Sequence, residues 1–231
     1  MKLLLTSSGI SNQSINDALV VLLGKPIADS TALFVPTGMH PFPGGGRVIE
    51  AMRDGAASPL LELGWKSLAL LELTALPSVR RENWVPALHE ADALLVWGGN
   101  VMYLRYWMQQ SGLADLLPTL DDLVYVGVSA GSIVMTPFNC DAESNQRFAP
   151  DGSDMTRGSE FGLGFVDFTM WVHVDNPNPI FEDHTMANVE KWAREIPVPT
   201  YGIDDQTAIK VTDGIVDVVS EGHWKLFTPG G

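Results

Sequence analysis

Five short apolar runs recur in the first part of the chain, and longer segments with helical spacing of apolar residues separate them. The runs lie at 3–5, 32–35, 68–71, 93–97 and 124–128. Their nearly continuous hydrophobicity is typical of strands in a parallel sheet that helices cover on both faces. Helices are predicted at 12–23, 46–63, 101–110 and 182–195. We therefore predict an α/β fold with a three-layer, doubly wound and mostly parallel sheet.

The pattern changes after residue 160. Strand-like segments lie at 163–174, 207–211, 215–219 and 224–227. The last three predict a C-terminal β meander that extends the edge of the sheet. The sequence has no internal repeat, low-complexity tract or linker, so we predict one domain over residues 1–231.

Composition limits the class of partner. The 231 residues carry a net charge of −14, which disfavours non-specific binding to nucleic acid or to an anionic membrane. Cys140 is the only cysteine, which leaves no internal disulfide and no cysteine-based zinc site. No stretch has the length of a membrane span, and the start of the chain is interpreted as a first core strand rather than a signal peptide. We expect a cytoplasmic protein with neither nucleic acid nor membrane as partner.

One serine stands where a buried strand meets a predicted helix. The segment 127–131 reads Gly-Val-Ser-Ala-Gly and directly follows an apolar run, while 132–135 can open a helix. This pattern is typical of a nucleophile elbow, a turn too tight for larger side chains, with free N–H groups where an oxyanion would form. An ordinary strand-to-helix turn also contains small residues. The flanking elements favour Ser129 as a nucleophile.

A serine nucleophile needs a base, and the chain offers five histidines. His173 ends a strand-like segment and enters an Asp/Asn/Pro loop, which is a favourable place for a site; a structural histidine is the alternative. His184 is expected to be solvated at a helix start, and His40 lies in a loop from which it can touch substrate. His89 is expected on a helix surface.

The base in turn needs an orienting acid. Asp204 and Asp205 lie in a turn between apolar segments, and the alternative for both is a simple Asx turn. The residues alone do not decide between the two neighbours.

Four segments, in this order, resemble the peptidase E family, the S51 serine peptidases. They are Gly98-Gly99-Asn100, Gly127 to Ser132, Gly162 to Asp167 with His173, and Gly202-Ile203-Asp204-Asp205. The resemblance implies a fold like that of class I glutamine amidotransferases, of the flavodoxin-like type. It also implies a Ser-His-Glu triad that maps onto Ser129, His173 and the position of Asp205. This chain departs from the family by having Asp there, one methylene shorter than Glu.

The expected chemistry is acyl transfer to water through a Ser-His-Asp triad. The backbone N–H groups of Gly99 and Ala130 are predicted to form the oxyanion hole, and Asn100 and Arg157 are candidate substrate-binding residues. No metal or cofactor is expected, since the chain lacks dinucleotide and phosphate-loop motifs. The glycine-rich segment 43–47 is interpreted as a flexible loop.

The resemblance implies a dipeptidase or aminopeptidase that acts on short peptides with a free N-terminus, in some members on N-terminal aspartate. An arginine in the helix before the triad acid is thought to bind that aspartate in the family. Here the segment 185–194 has no arginine before Arg194, and only Arg157 or Arg47 could substitute. We therefore hypothesise a preference for neutral or apolar N-terminal residues, in a monomer or homodimer.

Three other functions stay open. A conventional α/β-hydrolase esterase would use Ser129, then Asp175 or Asp205, then His223. An amidotransferase-like binding protein would use none of them for catalysis. A carrier of flavin or nucleotide would bind its ligand on the flavodoxin-like sheet. The missing phosphate loop makes this the weakest alternative.

Overall fold

The computed structural model describes residues 1–42, 58–140 and 146–229. The strands are β1 Lys2–Thr6, β2 Thr31–Val35, β3 Ser67–Leu70, β4 Ala93–Val96, β5 Val124–Val128, β6 Thr169–Trp171, β7 Thr200–Ile203, β8 Thr207–Thr212, β9 Ile215–Ser220 and β10 Trp224–Phe227. The α-helices are α1 Gln13–Leu23, α2 Ser58–Leu61, α3 Val85–Glu90, α4 Val101–Gln110, α5 Leu113–Leu116, α6 Ala130–Ile133 and α7 Met186–Ala193. Single 3-10 turns lie at Ile27–Asp29, Thr37–Met39, Leu76–Ser78, Arg81–Asn83, Leu117–Thr119 and Pro179–Phe181.

Most of these strands form one twisted sheet whose order is β3-β2-β4-β5-β1-β8-β9. The first five strands in that order are parallel, and β8 and β9 continue the sheet in antiparallel fashion. The carboxyl ends of β1, β4 and β5 therefore meet at one edge, which is where open α/β sheets bind ligands.

Both faces of the sheet are buried at the central strands β1, β4 and β5, as their apolar runs require. Leu3, Leu5 and Tyr125 belong to a core that includes residues of α4 and α6. The alternate residues Leu4 and Val126 belong to a second core with the buried face of α1. Successive side chains of a strand point to opposite faces, so continuous apolar runs are needed to fill two cores. The three-layer prediction is confirmed.

Capping residues bound α1 at both ends and α4 at its start. The side chain of Asn12 accepts a hydrogen bond from the N–H of Ile15 at the start of α1, and Gly24, with φ of 68°, closes it. Asn100 caps α4 in the same way through the N–H of Tyr103. Such caps satisfy N–H groups that have no partner inside the helix.

A small second sheet holds the elements that sequence patterns described less well. Its order is β10-β7-β6, with β6 and β7 parallel. The predicted meander is therefore wrong in its last strand, because β10 pairs with β7 while only β8 and β9 extend the main sheet. The predicted strand 163–174 is reduced to β6, because residues 163–165 bind the backbone after α6 instead.

Three further boundaries differ from expectation. The strand predicted as buried at 68–71 is β3, an edge strand of the sheet whose side chains are exposed, while Leu71 just after it is buried. The helix predicted at 182–195 begins at Met186, where Thr185 caps it. Most of the helix predicted at 46–63 lies outside the described residues, which hold only Ser58–Leu61 of it as helix.

Candidate active site

Ser129 lies at the carboxyl end of the central strand β5, in a backbone conformation that side chains rarely adopt. Its φ is 53° and its ψ is −116°, and its N–H donates to the carbonyl of Thr6 over 3.1 Å. A strained residue between a strand and a helix is the geometry of a nucleophile elbow. The helix behind it, α6, begins at Ala130 rather than at Ser132 and is only four residues long.

The glycines of the elbow are required by close backbone packing. A Cβ atom at Gly131 would lie 2.1 Å from the carbonyl oxygen of Val96, which is far inside van der Waals contact. A Cβ atom at Gly127 would lie 2.6 Å from the carbonyl oxygen of Gly131. The elbow therefore presses against the end of β4, which carries the Gly98-Gly99 turn.

His173 lies two residues beyond β6, and its ring reaches the hydroxyl of Ser129. The distance from Nε2 to Oγ of Ser129 is 2.9 Å. The backbone of His173 is left-handed, with φ of 58°, and the residue is nearly buried. Phe181 stacks on the imidazole, with ring centroids 4.2 Å apart and an interplanar angle of 21°. These contacts fix the ring plane against Ser129.

Asp205 lies two residues beyond β7, which pairs with β6, so the two loops leave the small sheet side by side. Its Oδ1 is 2.6 Å from Nδ1 of His173. Burial raises the pKa of Asp205, but the hydrogen bond and charge of His173, with hydrogen bonds from Ser7 and Asn176, outweigh it and lower the pKa to about 2. The carboxylate is ionised at neutral pH and accepts the proton on Nδ1.

Asp204 has other partners, although it is the sequence neighbour of Asp205. Its Oδ1 accepts from the hydroxyl of Thr207, and its Oδ2 accepts from the backbone N–H of His223. Successive residues of this turn point in different directions. The geometry therefore brings Asp205, and not Asp204, to His173.

The Gly98-Gly99 turn lies against Ser129, because β4 and β5 are neighbours. A Cβ atom at Gly98 would be 3.1 Å from Cβ of Ser129. Gly99 has a φ of 128°, and a Cβ atom there would lie 2.2 Å from the carbonyl oxygen of Gly38. Within the part of the chain that the structure describes, no oxygen accepts from the N–H groups of Gly99 and Ala130.

The two residues predicted to bind substrate are placed elsewhere. Asn100 is fully buried, and its Oδ1 accepts from the N–H of Tyr103, so its side chain caps α4 instead of facing a ligand. Arg157 is exposed and shares a surface depression with Arg105 and Gln109, along the part of α4 away from Gly99. The contacts described for these two residues do not join either of them to the triad, and their role in substrate binding stays a prediction. The alternative Arg47 lies outside the described residues, as does the 43–47 loop.

Three of the four other histidines, His40, His184 and His223, have hydrogen-bond partners of their own for their side chains. His40 is 2.7 Å from Oε2 of Glu72. His184 is half-buried rather than solvated, and its Nδ1 lies 2.8 Å from the carbonyl oxygen of Val172. His223 is exposed and lies 3.0 Å from both Asp175 and Asp204. An esterase order with His223 as the base finds no support in these contacts.

Sequence reasoning missed the residues that hold Asp205. The hydroxyl of Ser7 donates to Oδ1 of Asp205 over 2.6 Å, and Nδ2 of Asn176 donates to Oδ2. Ser7 directly follows β1, and a polar residue at the end of a central strand is a signal that could have pointed to it. Asn176 carries no such signal beyond its position three residues after His173.

Neither metal ligands nor a membrane-spanning helix is found in residues 1–42, 58–140 and 146–229. These ranges contain no group of three or more His, Cys, Asp or Glu side chains able to hold a metal ion. No helix within them is long and apolar enough to cross a membrane.

Solved structures resemble the whole chain. A peptidase E candidate from Listeria monocytogenes EGD-e has a TM-score of 0.65 and 20% identity, and the match covers 96% of this chain and 98% of that one. A peptidase from an acI-B1 Actinobacterium has a TM-score of 0.62 and 19% identity, with 100% and 95% covered. These likenesses confirm the predicted class I glutamine amidotransferase-like fold.

Comparison with curated protein sequences gives no significant match. The sequence model of one peptidase family, in contrast, matches residues 3–219, a range that holds Ser129, His173 and Asp205. The resemblance seen in the motifs is thereby confirmed. The chain belongs to peptidase family S51.

Proposed function

We propose that the chain is a serine exopeptidase in which Ser129 is the nucleophile, His173 the general base and Asp205 the orienting acid. One observation carries the proposal. A continuous line of hydrogen bonds runs from Oγ of Ser129 to Nε2 of His173 over 2.9 Å, and from Nδ1 to Oδ1 of Asp205 over 2.6 Å. Nucleophile and base within hydrogen-bond reach, with the base oriented by a third group, form a working triad.

In the acylation step, Nε2 of His173 accepts the Oγ proton while Oγ forms a bond to the scissile carbonyl carbon. The tetrahedral intermediate collapses, the C–N bond breaks, and the imidazolium gives the proton to the leaving amine. Water then repeats the sequence at the ester and releases the acid. Asp205 holds the proton on Nδ1 and stabilises the imidazolium. The N–H groups of Gly99 and Ala130 are proposed to bind the oxyanion.

The proposed substrates are short peptides with a free N-terminus and a neutral or apolar first residue. The two cations of the segment 185–194 lie at the surface: Arg194, directly after α7, pairs with Glu190, and Lys191 is exposed. Beside the base, the apolar ring of Phe181 stacks on His173, and the preceding residue, Ile180, is 74% exposed. An aspartate side chain would call for a bidentate arginine, and this surface instead favours apolar contact.

A dipeptide panel tests this function. Asp-Leu, Ala-Leu, Met-Leu and Leu-Leu are incubated with the protein, with N-acetylated forms as controls and Ser129→Ala as the matched inactive variant. We expect cleavage of the neutral and apolar dipeptides and none of the acetylated forms. An Asp-Leu preference above about 100-fold, roughly 2.7 kcal/mol, would overturn the substrate proposal. Cleavage of the acetylated forms would overturn the requirement for a free N-terminus.

A further inference from the structure

The carboxyl end of β1 contacts every member of the proposed triad. The carbonyl of Thr6 accepts from the N–H of Ser129 over 3.1 Å. The next residue, Ser7, contacts both His173 and Asp205 through its hydroxyl. β1 pairs with β5 on one side and with β8 on the other. Thr6 at its end, and Ser7 directly after it, are therefore held in place by strands on both sides. Two consecutive residues thus join three loops that are far apart in sequence.

The Ser7 hydroxyl forms one hydrogen bond with His173 and another with Asp205. It accepts from the backbone N–H of His173 over 2.9 Å and donates to Oδ1 of Asp205 over 2.6 Å. A hydroxyl has one proton to donate and lone pairs to accept, so both bonds form at once. Ser7 is fully buried. If its hydroxyl were lost, a water molecule could take over these two hydrogen bonds only where a cavity had formed. The backbone that it holds is the left-handed one of His173.

Asn176 completes the environment of the carboxylate from the opposite side. Its Nδ2 donates to Oδ2 of Asp205, while its Oδ1 accepts from the N–H of Asn178 over 2.8 Å. Oδ1 of Asp205 is shared by His173 and Ser7, so each carboxylate oxygen has a donor besides the imidazole. A carboxylate held at both oxygens cannot rotate away from the imidazole.

The backbone of the acid turn is held by the same loop that carries Ser7. The hydroxyl of Ser11 donates to the carbonyl of Asp205 over 2.7 Å, and Nδ2 of Asn12 donates to the carbonyl of Gln206 over 2.8 Å. The segment after β1 therefore fixes both the main chain and the side chain of the acid. This matters for an Asp, because its shorter side chain leaves less freedom to reach the imidazole.

We propose that Ser7 and Asn176 are positioning residues, which lock the Asp205 carboxylate and the His173 backbone into the geometry that activates Ser129. The inference rests on the proposed function. Neither residue touches the reacting atoms. They act through His173 and Asp205, so their loss lowers turnover and leaves substrate binding unchanged.

Two variants separate this role from a structural one. Ser7→Ala removes the bridging hydroxyl. Asn176→Asp replaces the donor to Asp205 by a carboxylate oxygen that repels it, while keeping the oxygen that accepts from Asn178. Ser14→Ala is the matched control, because Ser14 is on α1 and its hydroxyl binds the exposed Glu221. We expect kcat to fall by about tenfold to 100-fold in the first two, with KM unchanged, since small misplacements have effects of this size. The control keeps wild-type values.

A proton NMR spectrum gives a measurement that would not change if Ser7 and Asn176 had a purely structural role. The Nδ1 proton between His173 and Asp205 should give a low-field resonance, assigned by its absence in His173→Ala. We expect it to shift in Ser7→Ala and Asn176→Asp and to stay in place in Ser14→Ala. The thiol in Ser7→Cys is a weaker donor of similar shape, so we expect its kcat to lie between those of wild type and Ser7→Ala. If Ser7→Ala does not fold, Ser7→Cys takes its place in the comparison.

The outcomes distinguish this inference from the function on which it rests. If Ser129→Ala is inactive while Ser7→Ala and Asn176→Asp are folded, fully active and unchanged in the low-field resonance, the positioning role is wrong and the peptidase proposal stands. If Ser129→Ala keeps its activity in the same assay, the proposed function fails, and the positioning role falls with it.

Discussion

The α-carbon of Gly98 faces the side chain of Ser129, so closely that a methyl group on it would lie 3.1 Å from Cβ and 3.6 Å from Oγ. The nucleophile is thus confined from the side of β4 as well as by its own strained turn. The tight approach is to Cβ of Ser129, while Oγ lies at an ordinary van der Waals distance. A methyl group there requires the serine or the turn that holds Gly99 to shift by a few tenths of an ångström.

Gly98→Ala should therefore lower activity. We expect kcat/KM to fall by about tenfold to 100-fold, because a displacement of Oγ relative to Nε2 of His173 disturbs the attack geometry. Thermal unfolding and kinetics on Ala-Leu measure the two effects separately. A folded Gly98→Ala protein with wild-type kcat/KM would contradict the close approach of these two residues.

His223→Ala should be close to neutral in activity. His223 is 56% exposed and its ring pairs with Asp175 and Asp204, on the outer side of the acid turn. Exposed pairs of this kind contribute about 1 kcal/mol or less to stability. Steady-state kinetics on Ala-Leu check this. A severe loss in His223→Ala beside an active His173→Ala would instead establish the esterase order of residues.

Asp205 should make stability depend on pH in the acid range. Its pKa of about 2 lies below the ordinary value of 3.8, so the ionised form is favoured in the folded state. The stabilisation, about 2 kcal/mol, is complete above pH 4 and is lost as the pH falls from about 4 towards 2. Urea unfolding of wild type and Asp205→Asn at several pH values isolates this carboxyl. The difference in free energy of unfolding should shrink over that interval, and a constant difference would contradict the shifted pKa.

The features predicted best from the sequence are those that depend only on residues close together along the chain. Continuous apolar runs identified β1, β2, β4 and β5 because a strand with two buried faces has no polar positions. Ser129 was found because an elbow is a local motif, in which the glycines and the serine lie within five residues.

Features that depend on distant contacts could not be predicted in this way. Ser7 lies 166 residues from His173 and 198 from Asp205, and only the folded sheet brings them together. Asp204 and Asp205 are equivalent in sequence, and the direction of the turn distinguishes them. Arg157 was a candidate because it is a cation, and its position along α4 became visible only in the fold. The pairing of β10 with β7 likewise depends on tertiary packing.

The most direct test of the account is whether Ser129 and His173 act as one unit. Ser129→Ala, His173→Ala and the double variant are compared with wild type by kcat on Ala-Leu, with folding checked by thermal unfolding. We predict that each single variant loses about 10³-fold or more and that the double variant loses no more than either, because members of a triad fail together. Losses that multiply in the double variant, or a single variant that keeps its activity, would contradict a Ser129–His173 catalytic pair.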